Sequence, residues 1–314
     1  MILVTGGLGF LGGRICQELI NKGNKVRIGS SRSNIQIPNE LRNCSVFKID
    51  LHNPDSLRLA CEGVDTIIHL AALNSQDSKL NPQQALLTNG MGTLNLLSAA
   101  IKCGVENFLY FSTVHVYGCL NESVIDESLL TKPTHHYSIT HKLAEDYVLE
   151  ANKNSNISTS VFRLSNVIGA PLNKEANCWM LVAHDLCRQV AEKGSMKIDS
   201  NKDTLRDFIG IKKISQLVAD CINNDNFEKI KGEIINISSG TSISLGELAQ
   251  IIKIQSEMIF NFKPKISYGT SSDGNKEFLE ISNQKARAMG FDLEHNLNSE
   301  IKALLINCKK WFFS

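Results

Sequence analysis

What this 314-residue chain lacks narrows its class before any motif is read. Its nine cysteines, Cys16, Cys44, Cys61, Cys103, Cys119, Cys178, Cys187, Cys221 and Cys308, include no Cys-x-x-Cys pair. At this chain length that reads as buried, reduced thiols in a cytoplasmic protein, and no metal site is expected. No apolar run reaches roughly 18 residues, so no membrane-spanning helix is expected. Neither charge sign dominates: 33 Lys and Arg stand against 32 Asp and Glu, a formal net charge of +1. A nucleic-acid partner would ask for a basic field and a docking arm for a charged tail, and neither is present. Repeats, low-complexity segments and a Pro-rich linker are also missing. The first residues enter a strand-like run at once, so no signal peptide is expected ahead of it.

What is present is an apolar fraction of 42%, enough for one large domain or two interlocked ones. The opening residues 2–12, ILVTGGLGFLG, say the most. Ile2-Leu3-Val4 fits a buried parallel strand. Gly6, Gly7, Gly9 and Gly12 follow, and an amphipathic stretch then runs from Leu11 to Lys22 and stops at Gly23. Strand, glycine turn and helix form the context of a dinucleotide fingerprint: glycines let the backbone approach a pyrophosphate, and the helix N-terminus offers N–H groups and the positive end of its dipole.

Up to about residue 165 strands and helices alternate. Candidate strands are 2–5, 25–29, 45–49, 66–71, 107–112 and 159–164; the clearest helices are 85–102 and 137–153. Such alternation implies a parallel sheet covered on both faces, with ligands outside the carboxyl ends of the strands. Beyond 165 the pattern loosens. Helices are expected over 179–193, from the Ser244-x-x-Glu247 capping box to about 258, over 282–289 and over 299–312, with a strand at 234–237.

Eight segments in order now carry a resemblance: TGGLGFLG at 5–12, DL at 50–51, HLAA at 69–72, NGMGTLNLL at 89–97, FSTVHVYG at 111–118, YSITHKLAE at 137–145, RLSNVIGAP at 163–171 and LRDFI at 205–209. Over nearly its whole length the chain resembles the extended short-chain dehydrogenases/reductases, in particular the nucleotide-sugar epimerase/dehydratase group. The resemblance implies an α/β fold: a Rossmann-type doubly wound parallel sheet over 1–165, with a segment near 204–240 returning to it, and a smaller C-terminal substrate lobe from 166–203 and 241–314. It implies binding of NAD(P) by Gly6, Gly9, Phe10, Leu11, Gly12, Asp50, Leu51, Leu70, Ala71, Ala72, Asn89 and Ser112.

By the same resemblance Tyr137 carries the proton that accompanies hydride transfer, and Thr113 holds the substrate oxygen. A phenol has a pKa near 10, so a tyrosine base needs a neighbouring charge or donors. The family places a lysine one helical turn after the tyrosine. Here that position is His141, and Lys142 comes about 100° further around the helix. Either His141 replaces the lysine, bonding the nicotinamide ribose, or the site is weakened for catalysis.

Cofactor choice is set at the end of the second strand, where an NAD site usually carries Asp or Glu. Here Gly29 is followed by Ser30, Ser31 and Arg32. Arg32 can pair with a 2′-phosphate, helped by Ser30 or Ser31, so NADP(H) is favoured with NAD(H) open; an arginine stacked on adenine or a plain surface charge is the other reading. For substrate, the resemblance assigns Asn166 and Arg206 to the diphosphate or sugar of a nucleotide sugar, while a structural Arg206–Asp207 pair is the competing reading. An arginine common in relatives near an R-x-G-D segment is missing from GTSSDGNK at 269–276. Val114 and His115 stand where the family's 4,6-dehydratases carry acidic residues, which argues against dehydration. Epimerisation, 4-keto reduction and 4-oxidation stay open. So do a reductase of a small non-nucleotide carbonyl compound and a non-catalytic dinucleotide-binding module. A homodimer is compatible with all of them.

Overall fold

The apolar run Ile2–Thr5 forms strand β1, wholly buried, and turns through its glycines into helix α1, Phe10–Asn21. The computed structural model describes residues 1–32, 36–118, 124–223, 226–269 and 280–313. Strands β2 (Val26–Ser30), β3 (Ser45–Lys48), β4 (Thr66–His69) and β5 (Asn107–Thr113) join β1 in one sheet, along with Ser158–Leu164 and Ile234–Ile237. The strand order is Ile234–Ile237, Ser158–Leu164, β5, β4, β1, β2, β3. β1 lies between β2 and β4 in parallel register, with Val4 opposite both Ile28 and Ile68, and β5 runs parallel to Ser158–Leu164. This is the α/β, Rossmann-type sheet expected from the alternation of strands and helices.

Alternating strand residues Leu3, Ile67, Phe108 and Val161 form the core of one face. Leu57 of helix Pro54–Cys61, Leu96 of Gly92–Lys102 and Val148 of His136–Asn154 cover it. Because Glu145 and Arg163 are both buried, an unpaired charge at either position would be costly. They meet in a bidentate pair at 2.7 and 3.0 Å that ties helix His136–Asn154 to the neighbouring strand.

By contacts the chain divides into two units. One comprises Met1–Leu120, Glu127–Leu164 and Ser215–Asn236; the other comprises Asn121–Asp126, Ser165–Ile214 and Ile237–Ser314. The segment returning to the nucleotide-binding unit is thus narrower than the 204–240 expected, because Leu205–Gly210 pairs with Asn166–Ile168 and Ser242–Ser244 inside the second unit. There, helices Val182–Lys193, Leu245–Phe260 and Leu297–Phe312 bury Leu186, Val190, Leu248, Ile252, Ile301 and Leu304 together.

Three helix bounds differ from expectation. The first begins at Val182, not residue 179, because Leu181 is extended and caps it. The stretch around Ser282 holds only one short helix, Gln284–Ala288. The segment 85–102 is not a uniform α-helix: Leu86–Met91 is a π-helical turn, continuing as Gly92–Lys102. Among the described residues no helix is long and apolar enough to cross a membrane, no group of three or more His, Cys, Asp or Glu side chains is placed to hold a metal, and the cysteines are all free.

Candidate active site

The glycine turn after β1 has the geometry that its spacing implies. Gly6 adopts φ +69°, a left-handed conformation that glycine alone takes without cost, and its N–H donates to the Gly29 carbonyl at 2.9 Å. Gly9 donates to the Gly6 carbonyl at 2.8 Å and caps α1. A Cβ on Gly12 would lie 2.3 Å from that same carbonyl oxygen and 2.8 Å from the Gly7 Cα. The first turn of α1, with Phe10 and Leu11 half-buried, carries no side-chain cap and no acidic residue. Backbone is thus packed as closely as glycine permits beneath a helix N-terminus suited to an anion.

Around this turn, Thr5 organises the end of β4. Its hydroxyl accepts the N–H groups of Leu70 and Ala71 at 3.2 and 3.3 Å and lies 2.6 Å from Nδ1 of buried His69. With both lone pairs so engaged, the Thr5 proton goes to His69 Nδ1. His69 Nε2–H then donates to Thr93 Oγ1 at 3.0 Å, and Thr93 donates to the Asn89 carbonyl at 2.6 Å. Burial holds His69 neutral, its pKa lowered to about 3. Ala72 is exposed beyond this chain. The Asn89 side chain, 1% exposed, accepts from Leu73 N at 2.8 Å and donates to Thr140 at 3.1 Å. It therefore ties the loop after β4 to helix His136–Asn154.

At the edge of the sheet, Ser30 is buried and its hydroxyl accepts from Arg32 N at 3.2 Å, shaping the turn that carries exposed Ser31 and Arg32. No carboxylate follows β2 directly. Asp50 is exposed with Oδ1 accepting from His52 N at 2.9 Å, and Leu51 packs beneath Gly92.

The residues expected from sequence to serve proton transfer meet in the same unit. Thr113 ends β5, is 4% exposed, and caps the short turn Val114–Tyr117 by accepting from His115 N at 3.2 Å. Its side chain also hydrogen-bonds Tyr137. Helix His136–Asn154 starts with a reciprocal capping box between His135 and Ser138, which sets Tyr137 in its first turn. One turn on, the His141 ring meets the Tyr137 ring edge-on with centroids 4.4 Å apart. Burial pushes the Tyr137 phenol up to about 12, against the Thr113 bond. Burial also lowers His141 to about 3, aided by His69 and His115. Lys142 is turned away and pairs with Asp146. His141 thus holds the position one turn after the tyrosine without a charge.

Sequence reasoning missed Tyr110, whose hydroxyl lies 2.7 Å from His141 Nδ1. The available signal was period two along β5, which puts Tyr110 on the Ser112 face as a polar-tipped side chain in an apolar run. Two buried polar atoms here have no hydrogen-bond partner among the described residues, Ser112 Oγ and His141 Nε2. Together with the glycine cradle they fit a dinucleotide whose phosphates lie over α1 and whose sugar hydroxyls reach β5 and the Tyr137 helix.

A family model, the NAD dependent epimerase/dehydratase family, matches residues 2–238. The chain belongs to this family. Among relatives of the epimerase/dehydratase family, GDP-6-deoxy-D-talose 4-dehydrogenase of Aggregatibacter actinomycetemcomitans is 30% identical over 255 residues, 80% of this chain and 78% of that protein. UDP-glucose 4-epimerase of Rhizobium meliloti is 26% identical over 313 residues, 94% and 93% of the two chains. Among solved structures, UDP-glucose 4-epimerase of Thermus thermophilus in complex with NAD superposes with a TM-score of 0.82 at 19% identity, covering 99% of each chain.

The candidate substrate residues lie in the second unit. Arg206 is half-exposed and its guanidinium donates to the Leu205 carbonyl at 2.8 Å. The Arg206–Asp207 pair weighed from sequence is not formed. Asp207 is buried on the other face of the strand and accepts from Ser165, from Ser239 Oγ at 2.7 Å and from the N–H groups of Ser239 and Gly240 at 3.0 Å. Asn166 donates to the Asp207 carbonyl at 2.9 Å. Of GTSSDGNK, residues 270–276 lie outside the described residues.

Proposed function

We propose that this chain is a cytoplasmic NAD(P)-dependent oxidoreductase or epimerase acting on a nucleotide-activated sugar, by epimerisation, 4-keto reduction or 4-oxidation. The observation that carries the reading is the convergence of Thr113, Tyr137 and His141 at the end of β5, in the unit that also holds the Gly6–Gly12 cradle. When bound, the dinucleotide accepts or supplies the hydride. Tyr137 moves the proton at the sugar oxygen, which Thr113 holds through the hydroxyl it shares with Tyr137. His141 Nε2 and Ser112 Oγ, both lacking partners, take the hydroxyls of the ribose. Val114 and His115 offer no carboxylate next to Thr113, so elimination of water is not part of this chemistry. Arg206, free of any ion pair among the described residues, is assigned to the diphosphate. The relatives named for UDP- and GDP-linked sugars support the substrate class.

Arg32 and the missing carboxylate after β2 favour NADP(H) over NAD(H). Titration calorimetry with both cofactors, in the parent and in Arg32→Ala, tests this preference. Tighter NAD(H) binding by the parent, or an unchanged preference in the variant, refutes it. For the reaction class, purified protein is incubated with either cofactor and UDP- or GDP-linked hexoses and 4-keto sugars, following nicotinamide absorbance and product stereochemistry. Turnover of a simple aldehyde or ketone with no turnover of any nucleotide sugar overturns the reading.

A further inference from the structure

Tyr110 is 2% exposed and His141 3%, so water is not available to either polar tip. Their contact at 2.7 Å involves Nδ1 of the histidine, and it is the one hydrogen bond that the Tyr110 hydroxyl makes among the described residues. Two proton arrangements satisfy that distance. If Nδ1–H donated to the phenol oxygen, the phenol proton would be left buried with no acceptor, an expensive arrangement. If the phenol donates to Nδ1, its proton is satisfied and the imidazole hydrogen sits on Nε2. The first arrangement leaves two buried groups unpaired, the phenol proton and the Nε2 lone pair, whereas the second leaves one, the Nε2–H. The two ring nitrogens diverge, so Nε2 turns away from Tyr110, and it is the atom left without a partner.

We propose that Tyr110 is a positioning residue for the Tyr137 site: its hydroxyl fixes His141 in the tautomer whose Nε2–H is presented, as a neutral donor, to a hydroxyl oxygen of the bound ligand. This rests on the reading of Tyr137 and His141 given above and adds the group that orients them. Ser112 supports it, because it stands two residues along the same strand face as Tyr110 with a second buried, unpartnered hydroxyl. One pure donor beside one donor–acceptor matches a vicinal diol better than a carboxylate or a phosphate, which would call for a cation. Two histidines are thereby held in the same form by the same device. Thr5 donates to Nδ1 of His69 as Tyr110 donates to Nδ1 of His141, and both present Nε2–H.

The experiment is long-range proton–nitrogen correlation NMR on the full-length, nitrogen-15-labelled chain near neutral pH, with the His141 signals identified by their loss in His141→Gln. The parent is expected to show His141 as a single neutral tautomer, Nδ1 unprotonated and Nε2 protonated. Tyr110→Phe, which removes one oxygen, is expected to convert it to a tautomer mixture and to weaken NADH or NADPH binding by roughly three- to tenfold, the loss of one neutral hydrogen bond's worth of ordering. A protonated Nδ1 in the parent, a cationic His141, or an unchanged tautomer in Tyr110→Phe overturns the proposal. The parent spectrum decides even if the variant fails to fold. Because the tautomer is read without any substrate, a chain inactive on every nucleotide sugar would sink the proposed function and leave this result standing. Turnover combined with the wrong tautomer would do the reverse.

Discussion

Three buried histidines make this protein's stability depend on mild acid. His69, His141 and His184 are 1%, 3% and 0% exposed, and burial lowers them from 6.5 to about 3, about 3 and about 4. In the unfolded chain each takes up a proton near pH 6.5, while the folded chain does not. The unfolded state therefore binds more protons between roughly pH 6.5 and 4, and stability falls as pH falls through that window. Each depressed histidine costs about 1.4 kcal/mol on going from about pH 8 to about pH 5.5, and the three together about 4 kcal/mol. For 314 residues, an unfolding entropy of about 2.1 cal/mol/K per residue converts this to a melting temperature lower by roughly 6 °C. Scanning fluorimetry or calorimetry at the two pH values measures it. His141→Gln and His184→Gln are each expected to remove about a third of the pH-dependent drop, whatever they do to the melting temperature itself. Burial raises Asp207, which works in the opposite sense at acid pH, but it is common to parent and variants and cancels in the comparison. A melting temperature flat across this range, or an equal drop in the variants, would refute the reasoning.

Replacing Tyr137 with Phe keeps the ring against His141 and removes the hydroxyl, so turnover is expected to fall by roughly 10²-fold or more with cofactor affinity retained; near-normal turnover in a steady-state assay would unseat Tyr137. Gly12→Ala drives a Cβ into the Gly6 carbonyl and is expected to abolish dinucleotide binding by calorimetry, so retention of parent affinity would mean that the turn is not the phosphate site. Arg206→Ala is expected to weaken a nucleoside diphosphate by about 1.5–3 kcal/mol, the range for charge-assisted hydrogen bonds; unchanged affinity for UDP and GDP would remove Arg206 from the substrate site.

The parts of the fold legible in sequence are those that local chemistry dictates. Ile2–Thr5 could only be a buried strand, and the spacing of Gly6, Gly9 and Gly12 is itself a backbone geometry. The Ser244 capping box places a helix start correctly because both partners lie within four residues. Leu86–Met91 reads as plain α-helix because one inserted residue leaves the apolar pattern almost unchanged. The returning segment is expected from 204 and is found from Ser215 because Leu205–Gly210 looks like any buried strand until its partners, Asn166–Ile168 and Ser242–Ser244, are known. In the site, Tyr137 and His141 are visible as neighbours on one helix, but the neutrality of His141 is not. That depends on burial, aided by His69 and His115, and the partner of its Nδ1, Tyr110, is a residue 31 positions away whose contact no local pattern encodes.

The hydroxyl chain running Thr5, His69, Thr93 and Asn89 has a direction as well as a path. Each hydroxyl owns one proton, and in this chain every proton already faces the same way, from the glycine turn toward the helix that carries Tyr137. Such a line has no slack. Thr5→Val preserves the shape and the β-branch, yet at one stroke it would strand the Ala71 amide and the Nδ1 of His69, leave Leu70 N only its bond to the residue 5 carbonyl at 3.3 Å, and give neither imidazole tautomer a partner at Nδ1. Thr5, His69 and Thr93 therefore behave as a single heritable unit. A lineage can exchange the set for an apolar one or keep it whole, but a route through any single change leaves a buried donor or acceptor exposed to nothing.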